Sequence, residues 1–249
     1  MKAVVILLGV CMPIYFAQAH TNTADAFRFE QRLEAPLPRE LPFADESGRT
    51  TALGDRMNKA PLVLVLGYLH CPNLCATTLS GVMEALARSG LRPDQDYRAL
   101  FVSIDPRDTP FDAAAAKAER IPQAQRAAWR FLTGSEASIR SLAQAVGFHY
   151  AYDARRREYA HPAGFVVVAP GGTIARYFPG VRFEPRALRS ALADAAQGRA
   201  GTFASDLLLL CHQLDPAGRY TATILNALRA AIALFLVAGA IFLWRMRRP

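Results

Sequence analysis

An apolar run that ends at a close pair of cysteines constrains the fold of this chain most strongly. Residues 61–69 (PLVLVLGYL) are almost wholly apolar, as expected of a strand that is buried on both faces of a parallel sheet. Cys71 and Cys75 follow at once, and residues 77–89 then show the apolar spacing of a helix. The sequence thus predicts a buried strand that delivers two thiols to the start of a helix, where unpaired N–H groups and the helix dipole favour thiolates.

The middle of the chain alternates strand patterns with helix patterns. A small hairpin is expected over residues 41–53, ahead of the buried strand. After the cysteine helix come, in order, a strand, a helix, a strand, a helix, a hairpin and a helix, at residues 97–105, 111–120, 129–133, 137–146, 163–178 and 184–197. Such alternation predicts an α/β domain with a mixed central sheet flanked by helices. This order of elements is typical of a thioredoxin-like fold, expected here over residues 41–197.

The two ends of the chain predict export and membrane attachment. Residues 1–19 have a positive start, an apolar core and a small-x-small ending, which predict a signal peptide, with an uncleaved anchor as the alternative. Residues 222–244 predict a transmembrane helix, although they include Asn226 and Arg229; a buried helix is the alternative. The arginines of residues 245–249 predict a cytoplasmic tail. We therefore expect a single C-terminal span in the inner membrane, with the functional domain on the periplasmic side.

Two less regular segments flank the central domain. Residues 20–40 contain prolines and no clear period, and we interpret them as an extended N-terminal arm. Residues 198–221 form the predicted juxtamembrane segment. This segment holds Cys211 beside His212, which would form either a second metal contact or docking point, or a packing turn next to the membrane.

The charge of the chain does not indicate nucleic acid as a partner. The formal net charge is +8, but Lys2, Arg245, Arg247 and Arg248 lie in the terminal segments, and without them it is +4. That value is ordinary for a soluble domain. The sequence also has no basic stripe with interleaved aromatic residues, so we expect no nucleic acid partner.

The cysteines indicate sulfur chemistry rather than a disulfide scaffold. Beyond the predicted signal peptide only Cys71, Cys75 and Cys211 remain. Thiols four residues apart lie on one side of a helical turn, which leaves room for one small ion between them. A structural disulfide between Cys71 and Cys75 is the weaker alternative, because closing so small a loop contributes little chain entropy.

A histidine completes the candidate site. His161 comes just before the last predicted hairpin, and in a thioredoxin-like fold that loop faces the turn with the cysteines. Two thiolates and one imidazole form a soft site of low coordination number that suits Cu(I), or Cu(II) with a further ligand. A closed zinc site would need a fourth protein ligand. We expect the site to be shallow and exposed, since metal transfer requires the acceptor's thiolates to reach the ion.

Four polar residues near the cysteines have roles that the sequence leaves open. His70 adjoins Cys71 and would point away from it if the chain were still extended there. Asp105, Arg107 and Asp108 follow the second long strand of the predicted sheet. They would form a polar network around the site, a partner surface, or the N-cap and turn of the next helix, and we assign them no catalytic role.

Three motifs resemble those of the SCO1/SenC family and occur in that family's order. They are residues 67–75 (GYLHCPNLC), 102–110 (VSIDPRDTP) and 159–161 (YAH). The family consists of thioredoxin-like, membrane-tethered copper chaperones for the assembly of cytochrome c oxidase. The resemblance covers residues 41–197 and implies that Cys71, Cys75 and His161 are the ligands of one copper ion per chain, as Cu(I) or Cu(II).

Two substitutions and the position of the anchor depart from the family pattern. The family often has proline after the second cysteine and aspartate before the histidine, whereas this chain has Ala76 and Ala160. Neither change removes a ligand, but the second can alter how the imidazole is held. The family anchor is often N-terminal, and the tail at residues 210–220 resembles a bacterial subgroup with a C-terminal anchor.

The resemblance implies a copper-binding metallochaperone that delivers copper to, or matures, the dinuclear copper site of an oxidase subunit. The implied partners are the copper-bearing subunit of cytochrome c oxidase, other periplasmic copper chaperones or thiol reductants, and the membrane. The alternative is a thiol–disulfide oxidoreductase in which Cys71 attacks a target disulfide and Cys75 resolves the mixed species, which keeps oxidase copper-ligand cysteines reduced. Peroxide reduction is the least favoured class, because Pro72 and Thr77 do not reproduce its threonine-proline setting.

Overall fold

The computed structural model describes residues 29–57, 60–71 and 74–200, together with four helical positions, 230, 232, 234 and 235. For Leu74 and Cys75 the description is of the backbone. The predicted signal peptide, the pair Cys211–His212, the cytoplasmic tail and all of the predicted span except those four positions lie outside the described residues. Within the described part, no helix is long and apolar enough to cross a membrane.

Between residues 29 and 200 the described chain forms nine strands and four α-helices. The strands are β1 (Pro42–Asp45), β2 (Thr50–Ala52), β3 (Leu62–Gly67), β4 (Arg98–Ser103), β5 (Trp129–Thr133), β6 (Ala151–Asp153), β7 (Glu158–Ala160), β8 (Gly164–Val168) and β9 (Ile174–Pro179). The helices are α1 (Leu74–Arg88), α2 (Pro110–Arg120), α3 (Glu136–Val146) and α4 (Pro185–Ala196).

Seven of these strands form one mixed sheet in the order β2-β1-β5-β4-β3-β8-β9. β3 and β4 pair in parallel, with Leu62 opposite Arg98 and Gly67 opposite Ser103, and β5 extends the parallel part. β8 pairs antiparallel with the other side of β3, and β9 follows it as a hairpin. The mixed sheet flanked by helices confirms the predicted α/β, thioredoxin-like class.

β3 lies in the middle of the sheet and is buried on both faces. Leu62, Leu64 and Leu66 belong to the apolar cluster that contains the inner face of α3. Val63 and Val65 belong to the opposite cluster, which contains the inner faces of α1 and α4. Full burial of one such side chain contributes about 1.5–3 kcal/mol relative to exposure. This two-sided burial explains why the run that begins at residue 61 has no polar alternation.

The boundaries of two helices follow from local hydrogen bonds. α2 begins at Pro110 behind a capping box, in which the Thr109 side chain accepts from the Asp112 N–H and the Asp112 carboxylate accepts from the Thr109 N–H. α3 begins after Ser135, whose hydroxyl accepts from the Ser138 N–H, and ends at Gly147 in the left-handed conformation. Thr109, rather than Asp105 or Asp108, is therefore the N-cap of α2.

The described part of the predicted arm packs along the domain. Phe29 forms an isolated antiparallel bridge with Phe148, and their ring centroids are 5.5 Å apart. Further along, the Glu34 N–H donates to the Ile174 carbonyl at 2.8 Å. Leu37 is buried and belongs to the same apolar cluster as α3. Residues 29–37 thus run across the α3 side of the sheet.

The structure contains a hairpin beside the candidate site that was not predicted from the sequence. β6 and β7 form a separate two-stranded hairpin, with Tyr152 opposite Tyr159. Neither strand contains a fully buried residue, so the hairpin lacks the alternation between buried and exposed positions that reveals a strand in a sequence. The predicted hairpin over 41–53 is confirmed by β1 and β2.

We expect Gly147→Ala to destabilise the fold by about 3 kcal/mol, from backbone strain plus a steric clash. Gly147 has φ 69°, and a Cβ there would lie 2.0 Å from the Glu30 carbonyl oxygen. Gly198 has the same φ of 69°, but a Cβ there would meet nothing within 4 Å, so Gly198→Ala should cost only about 1 kcal/mol. Urea unfolding of the full chain, followed by circular dichroism, measures both, and equal losses would contradict tight docking of the arm.

Candidate metal centre

The sheet topology brings three chain segments to one edge. β3 and β4 run parallel, so the turns that follow them, which carry Cys71 and Asp105, leave the sheet side by side. β8 runs antiparallel to β3, so the loop that precedes β8 lies at the same edge. His161 is in that loop, between β7 and β8. The predicted approach of the histidine loop to the cysteine turn is consistent with this topology.

The first candidate thiol lies in a tight turn between β3 and α1. Cys71 is only 9% exposed and belongs to the same apolar cluster as Tyr68. This thiol is therefore less accessible than the shallow, exposed site expected from the sequence. Residues 69 and 70 form a turn, so His70 is not on an extended strand, which was the condition for it to point away from Cys71.

The second candidate thiol belongs to the first turn of α1. The helix begins at Leu74, three residues ahead of its predicted start, so Cys75 is its second residue. N–H groups in the first turn of a helix have no partner within the helix, and the dipole there is positive. This backbone position favours a thiolate, which is the form that binds soft metals. The side chain of Cys75 lies outside the described part, so the three-ligand set stays a prediction.

Aromatic rings hold the imidazole of His161. The Phe148 ring stacks on it at a centroid distance of 5.6 Å, and the Tyr68 ring meets it edge-on at 5.9 Å. The Nδ1 atom of His161 lies 2.9 Å from the carbonyl oxygen of Pro162. Since a carbonyl only accepts, Nδ1 donates, and the neutral imidazole then carries its lone pair on Nε2. His161 is half-buried, and its role as a metal ligand stays a prediction.

Tyr68 links the two parts of the candidate site. It lies three residues before Cys71, and its ring contacts both His161 and, at 5.4 Å, Tyr159. One buried aromatic side chain therefore spans the distance between the cysteine turn and the histidine loop. The donor types predicted for this site, sulfur and imidazole nitrogen, fit a soft ion such as Cu(I) better than a hard oxygen-seeking cation.

A charged network adjoins the tyrosines. Arg107 donates two hydrogen bonds of 2.8 Å to the Asp105 carboxylate, and its guanidinium lies 5.0 Å from the centroid of the Tyr152 ring. Burial raises the pKa of the Asp105 carboxyl, but the hydrogen bonds and charge of Arg107 outweigh it and leave that pKa below its ordinary value. Burial, followed by the charge of Asp105, raises the pKa of Tyr159 to about 12. Asp105 is therefore ionised, and Tyr159 is neutral, throughout the neutral range.

The tyrosines and Arg107 also line a surface groove of about 600 Å³ beside the histidine loop. Tyr150, Tyr152 and Tyr159 form part of its wall, and Arg140 lies at its far side. This aromatic wall was not predicted from the sequence. The period-two spacing of Tyr150 and Tyr152 was the available signal, but their neighbours His149 and Ala151 are exposed and show no apolar pattern.

Asp108 organises the turn before Cys71. Its carboxylate accepts from the Leu69 N–H at 2.9 Å and from the Ser103 hydroxyl at 2.5 Å, and its other oxygen lies 2.9 Å from His70 Nδ1. Asp105 and Asp108 thus belong to a polar network, which is one of the roles considered from the sequence. Sequence reasoning could not identify this function of Asp108, because its partners lie up to 39 residues away.

A separate group of metal-binding residue types lies close to this network. One ligand atom from each of His70, Asp108 and Asp112 lies within 4.8 Å of the others, which makes them the one such group of three among the described side chains. Several of their polar atoms already have hydrogen-bond partners. Asp108 accepts from Leu69 and Ser103, and Asp112 forms the capping box of α2. Hydrogen bonding accounts for this arrangement without a metal ion.

Known proteins share both the sequence pattern and the fold of this chain. The family model for SCO1/SenC matches residues 31–197, more than half of the chain. A solved structure from Aquifex aeolicus VF5 aligns with a TM-score of 0.61 and 22% identity, covering 70% of this chain and 98% of that one. Copper-bound ScoI of Arabidopsis thaliana aligns with a TM-score of 0.55 and 18% identity, covering 67% of this chain and 99% of that one. Copper-bound ScoI of Bradyrhizobium japonicum aligns with a TM-score of 0.51 and 23% identity, with the same two coverages. At these identities the three structures show a shared fold. No curated protein matches the chain in sequence.

We expect Arg107→Met to raise the pKa of Asp105, because burial would then act on the carboxyl without the opposing hydrogen bonds. A lowered pKa stabilises the folded chain above the ordinary aspartate pKa of about 3.9, and this contribution disappears as the pH falls through the folded pKa. The variant should therefore be less stable than the unmodified chain at pH 5–7, and the gap should close as the pH falls through the lowered pKa of Asp105.

Urea unfolding at a series of pH values measures this gap. Arg88→Met is the control, because Arg88 pairs with Glu84 at 3.1 Å on the exposed surface of α1 and should give a small effect with little pH dependence. A gap for Arg107→Met that is the same at pH 7 and at pH 3 would contradict the ionised, Arg107-stabilised state of Asp105.

Proposed function

The chain belongs to the SCO1/SenC family, and we propose that it is a copper-binding metallochaperone that delivers copper to, or matures, the dinuclear copper site of cytochrome c oxidase. The observation that carries the proposal is the meeting of a buried cysteine turn and a histidine loop at Tyr68. Copper-bound ScoI structures of two other organisms share the fold and lend further support.

In this proposal Cys71, Cys75 and His161 hold one copper ion. Reduced thiolates supply two soft donors, and the position of Cys75 in the first turn of α1 favours its thiolate. His161 would bind through Nε2, because its Nδ1 donates to the Pro162 carbonyl. Three donors suit Cu(I), and Cu(II) would take a further ligand.

Copper is the cargo of the chain in this proposal and is passed on by ligand exchange. Thiolates of the acceptor subunit replace Cys71, Cys75 and His161 one at a time, so that copper is never released to water. Because Cys71 is only 9% exposed, displacement of this thiolate by the acceptor requires the turn before α1 to open during transfer. The half-buried His161 offers the more accessible side of the site.

The cellular setting is part of the same proposal. The apolar stretch at residues 222–244 and the arginines behind it support a single C-terminal span of the inner membrane. The signal-like residues 1–19 support a domain on the periplasmic side. The partners would then be the copper-bearing oxidase subunit and other periplasmic copper chaperones or thiol reductants.

Copper stoichiometry of the full, reduced chain tests the proposal. Cys11→Ser and Cys211→Ser are introduced first, so that Cys71 and Cys75 are the only thiols. The chain with these two substitutions is the reference chain. We expect one copper per chain, with a thiolate-to-Cu(II) absorption band. Cys71→Ser, Cys75→Ser or His161→Ala should each lose the band and weaken copper binding by more than about 100-fold, since loss of a ligand costs more than loss of an outer partner.

The matched control is His149→Ala, which removes an imidazole whose Nε2 lies 3.1 Å from Glu30 on the arm. It should bind copper normally. If the reference chain holds no copper tightly, and instead reduces a disulfide substrate at a rate that His161→Ala leaves unchanged, the chain is a thiol–disulfide oxidoreductase. Adding back Cys211 to the reference chain shows whether that thiol contributes to the metal site.

A further inference from the structure

Two charged side chains hold both polar atoms of one residue's backbone in the cysteine turn. The Leu69 N–H donates to Asp108 Oδ2 at 2.9 Å, and the Leu69 carbonyl accepts from Arg120 Nη2 at 2.6 Å. Asp108 and Arg120 lie 39 and 51 residues further along the chain. Leu69 is two residues ahead of Cys71, so these contacts fix the backbone that leads to the thiol. We call Asp108 and Arg120 the Leu69 clamp.

The Asp108 half of the clamp is rigid. The carboxylate side chain is only 2% exposed, and it is tied to β4 by the Ser103 hydroxyl at 2.5 Å. The same carboxylate lies 2.9 Å from His70 Nδ1, so two consecutive residues of the turn are bound to it. Hydrogen bonds to an ionised acceptor are stronger than neutral ones. The turn is thereby attached to the end of the neighbouring strand.

The Arg120 half of the clamp leaves one buried donor atom unsatisfied, a cost in free energy that a purely stabilising contact would not require. Arg120 is the last residue of α2, and its Nη1 atom is buried with no hydrogen-bond partner among the described residues. Leaving a buried charged donor unsatisfied is unfavourable, and an apolar side chain of similar size would avoid that cost. The contact that Arg120 makes in return is with Leu69, which indicates that its role concerns the geometry of this turn.

We propose that Asp108 and Arg120 are positioning residues that set the location of Cys71 and, resting on the copper-binding function proposed above, the affinity for copper. They do not touch the metal. They hold the turn in the closed form in which Cys71 is nearly buried, and release of the Leu69 backbone is the motion that exposes the thiol. The clamp therefore makes the copper site tight and slow to exchange until the turn opens.

The fold contains a matched residue for comparison. Asp45 is also buried, and its carboxylate also organises a turn, since it accepts from the Ser47 N–H at 2.9 Å, the Ser47 hydroxyl at 2.6 Å and the Arg49 N–H at 3.1 Å. That turn joins β1 to β2 and carries none of the predicted ligands. Asp45→Asn thus reports what loss of a buried, turn-forming carboxylate does to stability alone.

The test compares Asp108→Asn, Arg120→Met and Asp45→Asn in the full chain lacking Cys11 and Cys211. Three quantities are measured: the unfolding temperature of the copper-free chain, the rate at which iodoacetamide alkylates Cys71, located by peptide mass spectrometry, and the Cu(I) affinity by competition with a chromophoric chelator. Both clamp variants should be alkylated at Cys71 at least about 5-fold faster, because local opening becomes easier. They should also bind Cu(I) at least about 10-fold more weakly.

Asp45→Asn should lower the unfolding temperature comparably but change both other quantities less than about 2-fold, because sites that share no partners act independently. Arg120→Lys keeps a charged donor and should recover part of the loss seen for Arg120→Met. Clamp variants that lose only thermal stability, as Asp45→Asn does, would overturn the proposal.

The two proposals fail in different ways. If the reference chain binds no Cu(I), the copper function is wrong, and the alkylation rates of Cys71 alone decide for or against the clamp. If the reference chain binds Cu(I) and the clamp variants match it in affinity and in Cys71 alkylation, the clamp is wrong and the copper function stands. If Asp108→Asn does not fold, Arg120→Met supplies the same comparison.

Discussion

Burial of β3 on both faces is the constraint on which the rest of the structure depends. Because β3 is covered by α3 on one face and by α1 and α4 on the other, the chain leaves the core only beyond the end of the strand. The chain turns at residues 69 and 70, soon after β3 ends, and this turn leads to the first candidate thiol. The parallel and antiparallel neighbours of β3 then bring an aspartate-rich turn and the histidine loop to the same edge. The pairing of β3 with its two neighbours thus brings the segments of the candidate site together.

The fold was largely predictable from the sequence because its core elements have strong periodic signals. β5 spans the predicted residues 129–133, and α2, α3 and α4 begin within one residue of prediction. The β6–β7 hairpin was not predictable, because partly exposed strands carry no apolar alternation. The near burial of Cys71 was missed for a different reason. It depends on contacts of Leu69 with residues that follow β4, and long-range hydrogen bonds leave no periodic trace in a sequence.

Ala160 stands where the family pattern often has aspartate, so other groups orient the histidine in this chain. In this chain the described contacts of the imidazole include two aromatic rings and a backbone carbonyl. A carboxylate partner would make the ring more basic, whereas a carbonyl and π-contacts fix its direction with a smaller effect on its charge. The carboxylate of Asp105, which the Tyr159 hydroxyl contacts, has its charge balanced by Arg107. The described contacts thus orient the His161 ring by packing and a backbone hydrogen bond more than by charge.

Phe148 contacts both the N-terminal arm and the histidine loop. One of its neighbours is Phe29 of the arm, at 5.5 Å, and another is the imidazole of His161, at 5.6 Å. A ring that is braced from one side only would turn more freely, and the imidazole stacked on it would turn with it. The N-terminal arm thus supports the position of His161 through Phe29 and Phe148. We therefore expect the shortest fragment that keeps His161 in place to begin at or before Phe29. Phe29 lies well ahead of the cysteine and histidine motifs in the sequence.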